Sequence, residues 1–270
     1  MVPLISLNNG VRIPQLGFGV FQVPEDQVAG AVTTALEAGY RSIDTAAAYR
    51  NESGVGDATA GVPDVFITTK LGNSDQGYDS TLRAFDASMG RLRRDVLDLY
   101  LIHWPTPARD LYAETWRALE QLHADGRVRA IGVSNFHTAH LQRLFDEFPT
   151  TPAVNQIELH PLLQQKEMRK VHATHRIVTE AWSPLAQGAL LRNPDLTALA
   201  DKYGKTPAQI VLRWHVQSGI VVIPKSVTPY RVKENIDIFD FELAPDDMTV
   251  IDELDNGTRT GPDPDEFNDA

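Results

Sequence analysis

The chain has no cysteine among its 270 residues, which excludes disulfide staples, thiolate nucleophiles and zinc–thiolate centres together. It also lacks any run of about 18 apolar residues, the length a helix needs to cross a bilayer. An excess of cations is missing too: 25 Lys and Arg stand against 36 Asp and Glu, a formal net charge of −11. That field repels nucleic acid phosphates and anionic lipid at long range, so neither is expected as a partner. Any anionic ligand needs a local basic cluster. The opening residues MVPLISLNNG have neither a basic segment nor a sustained apolar one, so no secretory signal is expected, and the expected location is the cytoplasm.

Hydrophobic residues make up 42% and charged residues 23%, the balance of a folded chain with an ample core. Short apolar runs alternate with longer segments of helical period, as in repeated βα units. Eight strand candidates are Gln15–Val20, Tyr40–Asp44, Val65–Lys70, Leu97–His103, Val128–Ser134, Ala153–Ile157, Ile177–Trp182 and Ile220–Pro224. Between them, Val28, Val32, Ala35 and Leu36 stripe a helix from Pro24 to Ala38, stopped by Gly39. Leu82, Phe85, Met89 and Leu92 do the same before Leu97, and Leu141, Leu144, Phe145 and Phe148 after Asn135. With no Gly/Pro-rich linker between halves, residues 1–270 are expected to form one α/β domain, a (β/α)8 barrel. LISLNNGVRIP reads as a hairpin with Asn9-Gly10 as a type I′ turn, capping the barrel bottom. The tail after Asp255, rich in Gly, Pro and Asp, has no period and reads as loop.

Barrel chemistry collects where strands end, and these strands end in Asp44, Lys70, His103, Ser134-Asn135, Gln156, Trp182 and Pro224-Lys225. Packing alone explains that many polar or aromatic ends poorly. Asp44, Tyr49, Lys70 and His103 together answer a chemical need. A phenol, with a pKa near ~10, is a poor proton donor at neutral pH, and a nearby ammonium lowers that value. Lys70 can supply the ammonium, Asp44 can hold it charged, and His103 can present a nitrogen to the same substrate oxygen. Such a group suits hydride delivery to a carbonyl. Each residue alone is more often a cap, a solvated end or a packed ring; the set is what carries the inference.

Other patterns carry less. Gly54-x-Gly56 mimics a dinucleotide fingerprint, but no strand immediately precedes it, so these glycines are expected in a helix and turn. His137/His140 and His172/His175 share helix faces without a third ligand at motif spacing, so no metal is expected and solvated histidines are. Trp214 and His215 lie on a helix apolar nearly all round and read as core.

The stretches GFGVFQV, GYRSIDTAAAYRNE, VFITTKL, DLYLIHWP, IGVSNF, AVNQIELHP, EAWSPLAQG, GKTPAQIVLRWHVQ and IPKSVTPYRVKEN occur in this order. Through them the chain resembles the aldo-keto reductases over nearly its whole length, most closely the bacterial branch that includes 2,5-diketo-D-gluconic acid reductases. The resemblance implies an NADPH-dependent reductase of aldehydes and ketones, with Tyr49 as general acid, Lys70 and Asp44 tuning it, and His103 orienting the carbonyl. It implies that Ser134, Asn135 and Gln156 hold the nicotinamide amide and that the Trp182 ring stacks on the nicotinamide. Ser183, Pro184, Leu185 and Gln187 would border the pyrophosphate. Lys225, Ser226, Val227, Arg231, Glu234 and Asn235 would surround the adenosine 2′-phosphate, where a helix start also favours an anion. Phe21, Tyr49, Gly72, His103 and Trp104 would line the substrate mouth, and the partner would be a small carbonyl compound, with no oligomer required.

The chain departs from the family pattern twice. Gly72 stands where the family usually has Trp, which should widen the pocket, and DATAGVPDVFIT is short, so the second helix should run about two turns. A non-catalytic nucleotide-sensing protein on the same fold is the alternative, disfavoured by the intact Asp44, Tyr49, Lys70 and His103. A metal-dependent barrel hydrolase would require converging ligands that the sequence does not supply.

Overall fold

Two short strands at the start of the chain, β1 (Leu4–Ser6) and β2 (Arg12–Pro14), pair antiparallel in the computed structural model, which describes residues 2–269. The turn between them differs from the type I′ expectation. Gly10 has φ +86° but Asn9 stays at negative φ, and Gly10 N–H donates to Leu7 O while Leu7 N–H donates to Val11 O. This is a three-residue loop whose single left-handed position falls on glycine, where no Cβ resists it. Asn8 and Asn9 side chains donate to Pro152 O and Arg129 O, fastening the loop to the barrel floor.

The other strands are β3 (Phe18–Gly19), β4 (Ser42–Asp44), β5 (Phe66–Leu71), β6 (Leu97–Ile102), β7 (Val128–Ser134), β8 (Val154–Glu158), β9 (Val178–Trp182) and β10 (Val221–Val222). They form one parallel eight-stranded sheet in sequence order. A parallel bridge from Leu16 to Val222, with Gly17 N–H to Val222 O and Gly19 N–H to Pro224 O, joins first to last. All eight expected strands are present: β7 keeps its expected bounds, β5 and β8 lie one residue later than expected, and the others are shorter by one to four residues, so the α/β barrel expectation holds. Leu7 and Ile13 of the hairpin segment share a core cluster with Phe66, Leu99, Leu101, Ala130 and Val154, so the hairpin caps the end opposite the strand C-termini.

Helices α1 (Glu25–Ala38), α2 (Glu52–Thr59), α3 (Tyr78–Leu92), α4 (Tyr112–Ala124), α5 (Thr138–Glu147), α6 (Lys166–His175), α7 (Pro194–Tyr203), α8 (Pro207–Gln217), α9 (Pro229–Ile236) and α10 (Pro245–Asp252) pack outside. Gly39, at φ +106°, returns its N–H to Ala35 O and Leu36 O and so stops α1. The short α2, eight residues long, meets the expectation of two turns. Its glycines are contact points: a Cβ on Gly54 would overlap Val28 Cγ1, and one on Gly56 would lie 2.6 Å from Arg91 O. Thus Gly54 and Gly56 let α2 approach α1 and the end of α3, which is a packing role and not a nucleotide-binding one. Trp214 and His215 are fully buried, as their apolar helix implied.

The expectation of solvated histidines fails at two positions. His140 and His172 are 7% and 1% exposed. His172 lies between Asn155 Nδ2 at 3.0 Å and Thr179 Oγ1 at 2.8 Å, and His140 Nδ1 accepts the His137 N–H that begins α5. Both rings serve as polar joints inside the wall, because helix spacing cannot tell a solvent-facing residue from one facing a neighbouring strand.

Candidate active site

Strand lengths decide which side chains reach the rim. β4 ends at Asp44, the next turn (Ala47–Tyr49) lifts Tyr49 above it, Lys70 is the penultimate residue of β5, and His103 follows β6 directly. Lys70, fully buried, donates to Asp44 Oδ1 over 2.6 Å and to Thr45 O over 2.9 Å, and its Nζ lies 3.4 Å from the Tyr49 hydroxyl. The Tyr49 ring makes an edge contact with His103, centroids 5.6 Å apart, and Phe21 packs on its other side at 5.0 Å. The four residues brought together by sequence reasoning are therefore neighbours.

Charge within this group follows from burial and pairing. Burial works against the Lys70 ammonium, yet the Asp44 charge and hydrogen bond leave its pKa above the ordinary value. Burial also pushes the Tyr49 phenol up, and the Lys70 charge pulls it back without cancelling the rise. This corrects the expectation of a phenol lowered outright: here the ammonium offsets desolvation. Burial, aided by the Lys70 charge, holds the His103 imidazole down to about 3, so at neutral pH the ring is uncharged and presents one N–H.

These groups open onto a cleft of about 1630 Å³ at the C-terminal ends of the strands. Ser134, Asn135, Gln156, Trp182, Ser183, Pro184, Leu185, Gln187, Lys225, Ser226, Arg231, Glu234 and Asn235 all line it, with Phe21, Gly72 and Trp104 at the mouth. Two expected residues do not: Lys70 sits beneath the surface, and Val227 faces an adjoining groove between α1 and α9. Trp182 donates its indole N–H to Asn135 Oδ1 over 2.8 Å, while Asn135 Nδ2 donates to His103 O over 3.0 Å. Ser183 and Gln187, at φ +49° and +54°, turn the chain after β9 along the cleft wall.

The donor set suits an anionic dinucleotide. Lys225 and Arg231 enter no ion pair among the described residues, in a chain of net charge −11, and both face the cleft beside the N-terminal half of α9. Unpaired cations next to backbone donors fit a phosphate.

Sequence reasoning missed three features. Glu180, 1% exposed on β9, accepts from Gln156 Nε2 over 3.0 Å, and the same nitrogen donates to Asp44 Oδ2 over 2.8 Å. Asp75 stands at Gly72, where a Cβ would meet its Oδ2 at 3.1 Å, so a carboxylate partly occupies the space attributed to a missing indole. The tail, expected only as loop, closes one side of the cleft: Phe267 packs on Trp104 at 4.5 Å, and Asp269 O accepts from Asn73 Nδ2 over 2.8 Å. A lone phenylalanine in a polar, Gly/Pro-rich tail was the available signal. Farther along, Asp265 approaches His137 Nδ1 at 3.0 Å with Asp263 beside it, a cluster whose two acids are exposed on the outer surface.

A profile of the Aldo/keto reductase family matches residues 15–256. An aldo-keto reductase of Mycolicibacterium smegmatis is 58% identical over 272 residues, 99% of each chain. The methylglyoxal reductase DkgA of Escherichia coli strain K12 is 53% identical over 98% of each. A solved mutant of Gox0644 in complex with NADPH superposes with a TM-score of 0.97 at 50% identity, covering 99% of each chain. The chain belongs to the aldo/keto reductase family and is an oxidoreductase.

Proposed function

We propose that this protein reduces small aldehydes and ketones to alcohols with NADPH, taking 2-oxoaldehydes such as methylglyoxal among its substrates. The observation that carries the reading is the Tyr49 hydroxyl held 3.4 Å above a lysine that is itself locked to Asp44 at 2.6 Å, beside a neutral His103. NADPH, when bound, supplies the hydride for the carbonyl carbon. His103 donates its N–H to the carbonyl oxygen and fixes that oxygen near the Tyr49 hydroxyl. As negative charge gathers on the oxygen, Tyr49 transfers its proton there, and the Lys70 ammonium stabilises the phenolate left behind. Asp44 keeps Lys70 protonated and aimed, so the phenol is a better acid than its burial alone would allow.

Ser134, Asn135 and Gln156 would hold the nicotinamide amide against Trp182, with the turn Ser183–Gln187 over the pyrophosphate. Lys225, Ser226 and Arg231 would take the 2′-phosphate, with Val227, Glu234 and Asn235 around the adenosine. The Escherichia coli relative DkgA, a methylglyoxal reductase, supports the substrate class. Residues 1–270 act as one domain, and one copy carries every group named, so no oligomer is required. The acidic surface disfavours nucleic acid and anionic lipid, and no helix among the described residues is long and apolar enough to cross a membrane. A cytoplasmic location suits an enzyme that draws on NADPH. Steady NADPH oxidation on adding methylglyoxal, set beside NADH, tests the proposal; tight NADPH binding without turnover on any of several aldehydes would favour a sensing role instead.

A further inference from the structure

Glu180 is a buried carboxyl to which the chemistry above gives no task. It lies on β9 in register with Gln156 of β8 and Val221 of β10. Its Oε2 takes one hydrogen bond, from Gln156, and its Oε1 is buried without a partner among the described residues. A buried carboxylate oxygen left bare is costly, whereas a protonated carboxyl places a neutral O–H there.

The surroundings sharpen this. Asp44 from β4, Lys70 from β5 and Tyr49 from the turn after β4 are the titratable groups whose charge Glu180 feels or perturbs; β8 offers neutral Gln156 and, two residues on, Glu158, whose carboxylate is taken up by His160, Thr260 and Gly261, and β10 offers only valines. Asp44 and Glu180, 3% and 1% exposed, share one amide nitrogen, that of Gln156, and Lys70, paired with Asp44, is the one ammonium whose charge reaches both. With both ionised, a closed wall holds one negative charge too many. Asp44 has the direct contact with Lys70, so Glu180 is the one that retains a proton. Consistently, burial and then the Asp44 charge push the Glu180 carboxyl up to about 7, against the opposing pull of Gln156 and Lys70.

We propose that Glu180 is a positioning residue that sets the acidity of Tyr49 through Gln156, Asp44 and Lys70. Protonated, it leaves the ammonium's field to act on the phenol. Ionised, it competes for that ammonium, and its own charge holds the phenolic proton more tightly. The inference rests on Tyr49 being the proton donor. Carbonyl reduction is then fastest below the Glu180 titration and slows as pH rises through it.

The test is kcat for methylglyoxal reduction at saturating NADPH between about pH 5.5 and 8.5. The wild-type profile should fall about three- to tenfold across an inflection near 7. Glu180→Gln keeps an oxygen for Gln156 but cannot ionise, so its profile should be flat to about twofold over that range, with NADPH affinity retained. A merely structural Glu180 would scale the whole profile and leave its shape. An inflection that persists in Glu180→Gln, or a wild type without one, overturns the proposal. Should Glu180→Gln not fold, Glu180→Ala serves the same comparison. Should neither fold, absence of a protonated-carboxyl infrared band in the wild-type protein at pH about 6 overturns it. Tyr49→Phe, run in parallel, separates the two ideas. Retained turnover there means that the acid assignment has failed, whereas lost turnover with an unaltered Glu180→Gln inflection means that only Glu180 was misassigned.

Discussion

The ring of Phe267 stands 4.5 Å from the ring of Trp104, tilted by 48°, so an aromatic from the tail walls the cleft that the strand ends open. Phe267 N–H donates to Asp263 O, and in the two residues after it Asn268 Oδ1 accepts from Ala108 N–H and Asp269 O from Asn73 Nδ2, which fixes that ring in place. Phe267→Ala should raise KM for an apolar aldehyde about threefold or more, since partial burial of such a ring is worth roughly 1–2 kcal/mol, while NADPH affinity stays as it was. Equal losses in cofactor and aldehyde binding would mean that the tail holds the fold and not the pocket.

Arg231 and Lys225 are cations without carboxylate partners among the described residues, placed beside α9 at the far end of the cleft. If they receive the 2′-phosphate, each charge-assisted contact contributes about 1.5–3 kcal/mol. Arg231→Ala should therefore weaken NADPH by about ten- to a hundredfold in a fluorescence titration and leave NADH within about twofold. The same loss for both nucleotides would remove the assignment.

The barrel was legible because its information is local: a short apolar run bounded by turn residues reads as a buried strand, and eight of them in sequence leave few alternatives. Asp44, Tyr49, Lys70 and His103 were legible for a related reason, since the ends of parallel strands lie on one rim whatever the details. Glu180 was not. Its place two residues before Trp182 on β9 marks it as facing the same side, but only the bend of the sheet brings it within reach of Gln156 Nε2. Phe267 escaped because a segment without period says nothing of where it docks. Gly54 and Gly56 looked like a phosphate loop because phosphate approach and helix approach both demand a missing Cβ; what a Cβ would strike, Val28 in one case and Arg91 O in the other, tells them apart.

His172 offers a prediction about acid. Burial, helped by the Arg169 charge, holds its imidazole down to about 4 in the folded protein, below the ordinary value of 6.5. The unfolded chain takes up that proton near pH 6.5 and the folded chain does not, so stability is present above 6.5 and is lost as pH falls toward 4. His172→Gln keeps a polar group for Asn155 and Thr179 but removes the titration. Its unfolding free energy, measured with urea, should fall less steeply with acid than wild type, by up to about 1.4 kcal/mol per pH unit in that window. Parallel slopes would show that His172 is already protonated in the folded state.

Tyr49 decides whether the cleft is a reaction site or only a binding site. Tyr49→Phe deletes one hydroxyl and preserves the ring contacts with Phe21 and His103, so the fold and NADPH affinity should be nearly unchanged. General acid catalysis typically contributes about 10²–10⁴-fold, and kcat should drop by that order with the cofactor bound as before. Lys70→Met should also cripple turnover. It removes the charge that offsets the desolvation of the phenol, and it leaves the buried Asp44 carboxylate without its ammonium. Asp44→Asn should act less completely, because Lys70 keeps its hydrogen bond to Thr45 O and still lies 3.4 Å from the hydroxyl. If Tyr49 only packs, Tyr49→Phe is close to wild type and the three variants lose their ranking. A Phe variant that reduces methylglyoxal at more than about a tenth of the wild-type rate would falsify the proton-donor role, because that loss is far below what a positioned acid contributes.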